Sequence, residues 1–452
     1  MAITNPIRNS NTLEIGKVFE NIGLKKIHYI VFFILLVTVL IDSLESTYVS
    51  LLLPAFEKYF AVSPLSAATI LSVPFLAAIV GAILWGNIAD IFGRKKILVA
   101  TYFLYGVTNF IASFSVSITD LLILRSLAFF MFAGAVVISF PYLQEFMPTK
   151  VRGRMLNILL LATPFGVLIA TLIALFVLPL YNWQGVFIVM SLLSLWGFVI
   201  LFLMNESPYW LTKVGKIEKA KQVIYKFASK EELISTLGTD LSDVVLTTER
   251  SKKVPFSVIW DRQFIMITVI VSIIAFTYAF GYWGIFSFIP GYLIGRGVPY
   301  HAALEIELIY ALAGMPGYAL SAFLMEKPTF GRKKVSVLFL AITATATVAF
   351  LNVSTVVEAI ISLAILSFFS NGIWGTLDAW FPEQYPTEAR NTGNGWAIAM
   401  ERIAPVTAPL FVGAFVLLKG ADIIISAVLL LMIVVAIVGT IFLRETRGVD
   451  LV

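Results

Sequence analysis

Long apolar runs, separated by short polar stretches, recur along nearly the whole chain. About 20 apolar residues suffice to cross a hydrocarbon layer of ~30 Å as a helix. Such runs fall near 27–53, 66–86, 97–117, 120–142, 155–179, 184–204, 263–290, 304–325, 335–352, 356–381, 393–418 and 422–443. They predict an all-α integral membrane protein with 12 transmembrane helices. Polar residues divide the chain into an N-terminal segment 1–26, a six-helix bundle 27–204, a connector 205–262, a second bundle 263–443 and a tail 444–452. The connector is rich in Lys and Glu, and Glu218-Lys219-Ala220-Lys221-Gln222-Val223-Ile224 reads as a short amphipathic helix at the membrane surface.

Charge orients these spans. Of 32 Lys and Arg, Lys58, Arg296 and Lys419 fall in odd-numbered loops and Arg125 and Arg402 inside spans, while the remaining 27 share the other side. Positive residues stay on the cytoplasmic face, so both termini and the connector are expected there. No small-residue cleavage site follows the first apolar run, and no signal peptide is expected.

The loops repeat. Phe92-Gly93-Arg94-Lys95-Lys96 returns as Phe330-Gly331-Arg332-Lys333-Lys334, and Glu145, Pro148, Thr149 and Arg152 return as Glu383, Pro386, Thr387 and Arg390, both at an offset of 238 residues. A unit of half the chain is therefore repeated in parallel, the pattern of two pseudo-symmetric bundles.

Composition agrees. With 59% hydrophobic and 13% charged residues, the chain cannot cover a soluble globule of 452 residues with polar surface. The absence of cysteine and the presence of only two histidines, His28 and His301, leave no thiolate or His-rich metal site. The net charge of +5 sits in short loops between apolar spans, which suits the anionic inner leaflet of a bilayer rather than nucleic acid. No P-loop and no nucleophile–base constellation is present, so neither ATP hydrolysis nor another enzymatic activity is expected. The expected partners are a small-molecule substrate and the lipid bilayer, with the chain acting as a monomer in the plasma membrane and no cofactor beyond a coupling proton.

The repeat also acts as a filter, because gating machinery should be shared by both halves while solute or ion chemistry need not be. Asp42, Glu45, Arg125, Asp378 and Arg402 are intramembrane charges whose counterparts are Phe280, Trp283, Leu363, Phe140 and Pro164. Each costs ~2.5–3.5 kcal/mol even on insertion scales, so function is the default reading. Asp42 and Glu45 lie three apart on one helix and share a side, where neighbouring carboxylates raise each other's proton affinity.

Several segments carry a resemblance. Gly86-Asn87-Ile88-Ala89-Asp90-Ile91-Phe92-Gly93-Arg94-Lys95-Lys96 resembles the loop signature of the major facilitator superfamily. Glu145 to Arg154, Glu206-Ser207-Pro208-Tyr209-Trp210-Leu211 and Pro382 to Arg390 are similar to the branch of sugar porters, metabolite:proton symporters, niacin transporters and vesicle glycoprotein-like carriers. The resemblance implies two bundles rocking about a central site. Asp42-Ser43-Leu44-Glu45 is similar to the first-helix Asp-x-x-Asp/Glu element of the symporters, and Arg125 stands where sugar porters carry an arginine paired with a first-helix aspartate. Asp42 is thus expected to accept the proton, Arg125 to hold its charge when ionised, and Glu45 to share the proton or seal the site.

A cytoplasmic ionic latch between the bundles, formed only when the inner gate is shut and favouring the outward-open state, is expected from Gly86, Asp90, Gly93 and Arg94, with Glu145 paired to Arg152, Glu383 to Arg390, and Glu206, Gly331, Arg332 and Glu445 completing it. Pro328 stands where Asp90 would repeat, which weakens the second copy. Candidate substrate residues are Tyr278, Tyr282 and Trp283 on the seventh span, Asn371, Trp374 and Asp378 on the tenth, and Trp396 and Arg402 on the eleventh. Arg402 could fork onto a carboxylate solute or pair with Glu401 or Asp378. The glutamines that resemble hexose ligands in sugar porters are missing, and Tyr385 to Pro405 look most like the niacin and vesicle subgroup. A proton-coupled symporter of a small organic or aromatic acid is the leading expectation. A facilitator or antiporter of a sugar-like or cationic solute, and a non-transporting receptor, stay open.

Overall fold

The structure, a computed structural model, describes residues 12–247, 255–386, 388–415 and 421–448. Residues 1–11, Thr387, Lys419 and the end of the expected tail, 449–452, lie outside the described residues. Strand β1 (Thr12–Glu14) and helix α1 (Ile15–Ile22) lead into the first half, α2 (Lys26–Phe60), α3 (Pro64–Phe92), α4 (Arg94–Ala112), α5 (Ile118–Phe146), α6 (Thr149–Leu160), α7 (Thr163–Leu192) and α8 (Trp196–Leu203). The connector holds α9 (Pro208–Lys213), α10 (Ile217–Ile224), α11 (Lys230–Leu237) and β2 (Val245–Thr247). The second half is α12 (Ile265–Phe286), α13 (Ile289–Gly295), α14 (Tyr300–Met325), α15 (Gly331–Leu351), α16 (Val356–Glu383), α17 (Arg390–Phe415) and α18 (Ala421–Phe442).

Among the described residues nine helices or continuous helical runs are long and apolar enough to cross a membrane. One of them, Lys150–Leu203, is 54 residues long, more than twice the length that a crossing needs. It is broken into two helices at Asn182, whose φ of 53° and ψ of −167° depart from the helical backbone inside α7. The shorter α4 opens on three basic residues, Arg94, Lys95 and Lys96.

Local chemistry starts the helices and repeats with the loops. Ser117 and Asp120 form a reciprocal capping box at the start of α5, and Thr355 and Glu358 form the same box at the start of α16, again 238 residues on. Tight packing recurs too. On α3, a side chain at Gly81 would collide with the Phe130 carbonyl of α5, and on α14 one at Gly317 would collide with the Phe368 carbonyl of α16. Phe130 and Phe368 are themselves 238 apart, so each half uses a glycine to bring the same two helices into backbone contact.

The connector is folded against the first half. β1 pairs in parallel with β2, Thr12 opposite Val245 and Glu14 opposite Thr247. Phe19 of α1, Phe146 at the end of α5 and Phe227 after α10 share one apolar core with Leu233 and Leu246. Phe146 and Phe227 stack at 5.4 Å, and Lys25 pairs with Glu232. The amphipathic stretch around Val223 and Ile224 therefore buries its apolar side in protein.

Candidate functional site

At the end of the molecule that carries the basic loops, two carboxylates cap two helices. Glu206 accepts the Lys95 backbone N–H at 3.1 Å, and Glu445 accepts those of Arg332 and Lys333 at 3.0 and 2.9 Å. Helix starts expose unpaired N–H groups and the positive end of the dipole, so an anion is stabilised there. Gly93 (φ 110°) and Gly331 (φ 70°) occupy the left-handed region, and a Cβ on either would run into the capping carboxylate. Replacing Gly93 with Ala is expected to cost about 1–3 kcal/mol, read as a lowered Tm in detergent; an unchanged Tm would contradict this packing.

Burial works to raise the Glu445 carboxyl, but backbone N–H groups of Arg447, Lys333, Arg332 and Thr446 outweigh it and hold its pKa below the usual value. A depressed carboxyl stabilises the fold above its unfolded pKa and loses that contribution as pH falls through the folded value. Glu445→Gln should therefore cost about 1 kcal/mol at neutral pH. The gap to wild type should close in acid, and a gap of equal size at both pH values would count against the cap.

The arginines pair within their own halves. Arg94 reaches Glu145 at 2.8 Å and Asp90 at 3.5 Å, with Lys213 at 3.8 Å from Asp90. Arg332 reaches Glu383 at 3.1 Å and Glu326 at 3.2 Å. These partners differ from the ones expected for the shut inner gate. Arg152, in the first turn of α6 after Pro148, donates to the Met147 carbonyl at 3.4 Å. Glu383 is held by Arg332 rather than by Arg390, so each half carries a network of its own at this end. Glu326, two residues before Pro328, supplies the carboxylate missing from the second copy.

Deeper in the first half, Glu45 and Arg125 form an ion pair with side chains 1% and 2% exposed. Arg125 also donates to the Glu45 carbonyl at 2.7 Å, and the Tyr105 hydroxyl donates to the second carboxylate oxygen at 2.7 Å. The guanidinium lies over Tyr48 and Phe129, 4.7 and 4.2 Å from the ring centres. The expected Asp42–Arg125 pair is thus not the one formed. Three residues of helix rotate a side chain by about 60° net, so Glu45 turns into the core of its half while Asp42 turns out of it.

Asp42 meets Arg402 of α17 at 3.9 Å, across the two halves. The same guanidinium acts electrostatically on Asp378 and Glu401. One cation is therefore shared by three carboxylates. Tyr278, Tyr282 and Trp374 form a cluster of edge-on rings, with Trp374 5.1 and 5.5 Å from the two tyrosines, and Trp283 touches Phe75 of the first half at 5.2 Å. Tyr278 donates to the Ser370 carbonyl and Asn371 to the Ser367 carbonyl at 2.9 Å, so these polar groups are engaged inside the second half. Trp396 sits apart from this group, its indole N–H on Ser272 at 2.7 Å and its ring against Trp260.

The halves touch at the end opposite the basic loops. α17 lays Gly413 against Pro64, Leu65 and Ala68 of α3, and the Tyr300 hydroxyl of α14 donates to the Leu51 carbonyl of α2 at 2.5 Å. At the basic end the first half carries a cleft of about 410 Å³, lined by Ile83, Gly86, Asn87, Asp90, Arg94, Val137, Ile138 and Pro141. One buried acid escaped the sequence reading. Glu307 of α14 is 1% exposed, and its Oε1 has no hydrogen-bond partner. It lies inside an expected span and aligns with Thr69 in the first half, so the repeat filter could have found it.

Two helical halves packed about a charged interface define a membrane-transporter architecture. The sequence model of the Major Facilitator Superfamily matches residues 34–329 and 306–450, and the chain belongs to that family. It is accordingly a transporter and not an enzyme, a multi-pass protein of the cell membrane that carries a small molecule. Among its relatives is the niacin transporter NiaP of Acinetobacter baylyi, 28% identical over 95% of this chain and 97% of that one. A putative niacin/nicotinamide transporter of Bacillus subtilis is 28% identical over 91% and 95%, and the benzoate transport protein of A. baylyi is 21% identical over 89% and 87%. Among solved structures, a D-xylose-proton symporter aligns with TM-score 0.70 and 16% identity over 93% of this chain and 99% of that one. An inward-facing bacterial homolog of the lysosomal transporter Spinster aligns with TM-score 0.74 and 14% identity over 95% and 100%.

Proposed function

We propose that the protein is a proton-coupled symporter of a small organic acid, aromatic acids foremost, working by alternating access. The observation that carries this reading is the Asp42–Arg402 contact between the halves, with Asp378 and Glu401 acting on the same guanidinium. Three carboxylates cannot all remain ionised around one cation without a large electrostatic cost, so a proton belongs to the group. In the empty site, ionised Asp42 occupies Arg402. A proton on Asp42 removes that competitor, and a solute carboxylate takes its place in a charge-assisted contact. Proton and anion then bind each other's complex more tightly, and loss of the proton returns Asp42 to Arg402 and expels the solute. The rings of Tyr282, Trp283 and Trp374 offer flat apolar surface for an aromatic body. Relatives named for niacin and for benzoate, both aromatic acids, support the same class.

The topology proposed with it has twelve crossings. Division of Lys150–Leu203 at Asn182, with α4 and α18 added, supplies that number. The basic end faces the cytoplasm, together with both termini and the 205–262 connector between the bundles 27–204 and 263–443. Glu206, Glu445 and the networks around Arg94 and Arg332 then stiffen the cytoplasmic rim of each bundle, and the contacts of Gly413 and Tyr300 that join the halves at the opposite end support an inward-facing state. The site is complete within one chain, so a monomer suffices.

Thermal stabilisation tests the solute class, because a ligand of the folded state raises stability by ~2.7 kcal/mol at 100 times its Kd. Nicotinate or benzoate should stabilise the protein more at about pH 5 than at about pH 7, and Arg402→Gln should remove the effect. Equal stabilisation by uncharged nicotinamide or by a sugar, without pH dependence, would favour a facilitator instead.

A further inference from the structure

Four buried or half-buried acids of the membrane region have an arginine: Glu45 has Arg125, and Asp42, Asp378 and Glu401 share Arg402. Glu307 has none among the described residues. It is 1% exposed, its Oε1 lacks a hydrogen-bond partner, and the polar groups that act on it are the hydroxyls of Tyr282 on α12 and Tyr310 on α14. The other titratable groups nearby on α14, His301 and Glu305, pair with each other at 3.4 Å on its exposed face. α7, which packs on α14 from the first half, carries no charged side chain between Thr163 and Leu192. α16, packed on the other side, turns Ser367 onto the Tyr310 carbonyl.

The position of this acid matters as much as its isolation. Along α14, Tyr300, Leu304 and Leu308 pack with the first half, whereas Ala303, Ile306 and Tyr310 pack into the core of the second. At 100° per residue Glu307 falls between those two stripes, on the edge of the seam that joins the halves. It stands seven residues from Tyr300, about 10 Å inside the closed end. A carboxylate dehydrated there without a counter-charge must carry a proton, whereas opening of the α7–α14 seam would hydrate it and let it ionise.

We infer that Glu307 is a second proton-binding site, on α14, whose protonation is required for the outer seam between the two halves to close. The proton comes from the outer solution while the seam is open and stays on Glu307 while the seam is shut. It acts on the gate and is not passed to the cytoplasm with the solute. Alkaline outer solution would then hold the transporter open outward. This inference rests on the proposed topology but not on the identity of the solute or on Asp42.

The chain has no cysteine, so single reporters can be read without background. Ala68→Cys, buried against Gly413 in the seam, reports opening, and Val116→Cys, on an exposed turn after α4 at the same end, corrects for the reagent's own pH dependence. Labelling by a membrane-impermeant thiol reagent from outside, taken as the ratio of the two, should rise with outer pH by up to about tenfold per unit above the Glu307 titration. Glu307→Gln and Glu307→Leu should each give a low ratio that is flat with pH, whereas Asp42→Asn should keep the slope. Infrared spectra of the closed state should also lose a protonated-carboxyl band in Glu307→Gln. A wild-type slope retained in either Glu307 variant, or an unchanged carboxyl band, would overturn the inference. Failure of the proton–acid symport proposal would leave these readouts unaffected.

Discussion

Asp42→Asn is expected to abolish proton-driven accumulation while leaving exchange of solute across the membrane in place. Asn cannot titrate, but it keeps the shape of the site and leaves Arg402 free for the solute carboxylate. A monovalent anion carried with one proton moves without net charge, so only the pH difference drives it, at 1.36 kcal/mol or about tenfold accumulation per unit. Two units of gradient should give wild-type vesicles roughly 100-fold accumulation and the variant none beyond equilibration. Counterflow should persist in the variant, since it needs only binding and the rocking of the halves. Full accumulation by Asp42→Asn would remove the proton from this residue.

The second large effect concerns the Glu45–Arg125 pair. Breaking a buried pair leaves one dehydrated charge without its partner, and Arg125→Leu or Glu45→Gln should each destabilise the fold by about 3–5 kcal/mol. Removing both charges avoids that penalty, so the double variant Glu45→Leu/Arg125→Met should recover most of the lost Tm. On the present account the pair seals the first half and Asp42 carries the proton, so the recovered double variant should still accumulate solute. A stable double variant that binds solute but no longer accumulates it would assign the proton to Glu45. The burial of Glu45, with Tyr105 and Arg125 satisfying both of its oxygens, is what argues against that outcome.

Much of the architecture was legible in the chain because hydrophobic length and the 238-residue repeat are written directly in residue order. The capping boxes at Ser117 and Thr355 obey the same offset. Partner choice was less legible. Asp42 and Glu45 share one side of α2 in sequence, but that side faces both α5 and α17, and only the packing decides which acid meets which arginine. Likewise Glu206 and Glu445 perform the same capping at an offset of 239, one residue out of step with the repeat, and Glu326 replaces Asp90 from a position two residues displaced. Exact offsets miss such substitutions because a carboxylate needs to reach a given point in space and not a given place in the sequence. Glu307 was passed over because its place near the end of a span reads as an interface residue until the packing of α14 shows it enclosed.

The most direct test of the account is proton movement driven by the solute. Purified protein in vesicles without a pH gradient, loaded with an internal pH dye, would be given external nicotinate or benzoate, with protein-free vesicles correcting for diffusion of the neutral acid. The account predicts acidification inside in step with solute entry, about one proton per solute, lost in Asp42→Asn. Solute entry at the wild-type rate with no protein-dependent change in internal pH would contradict proton-coupled symport.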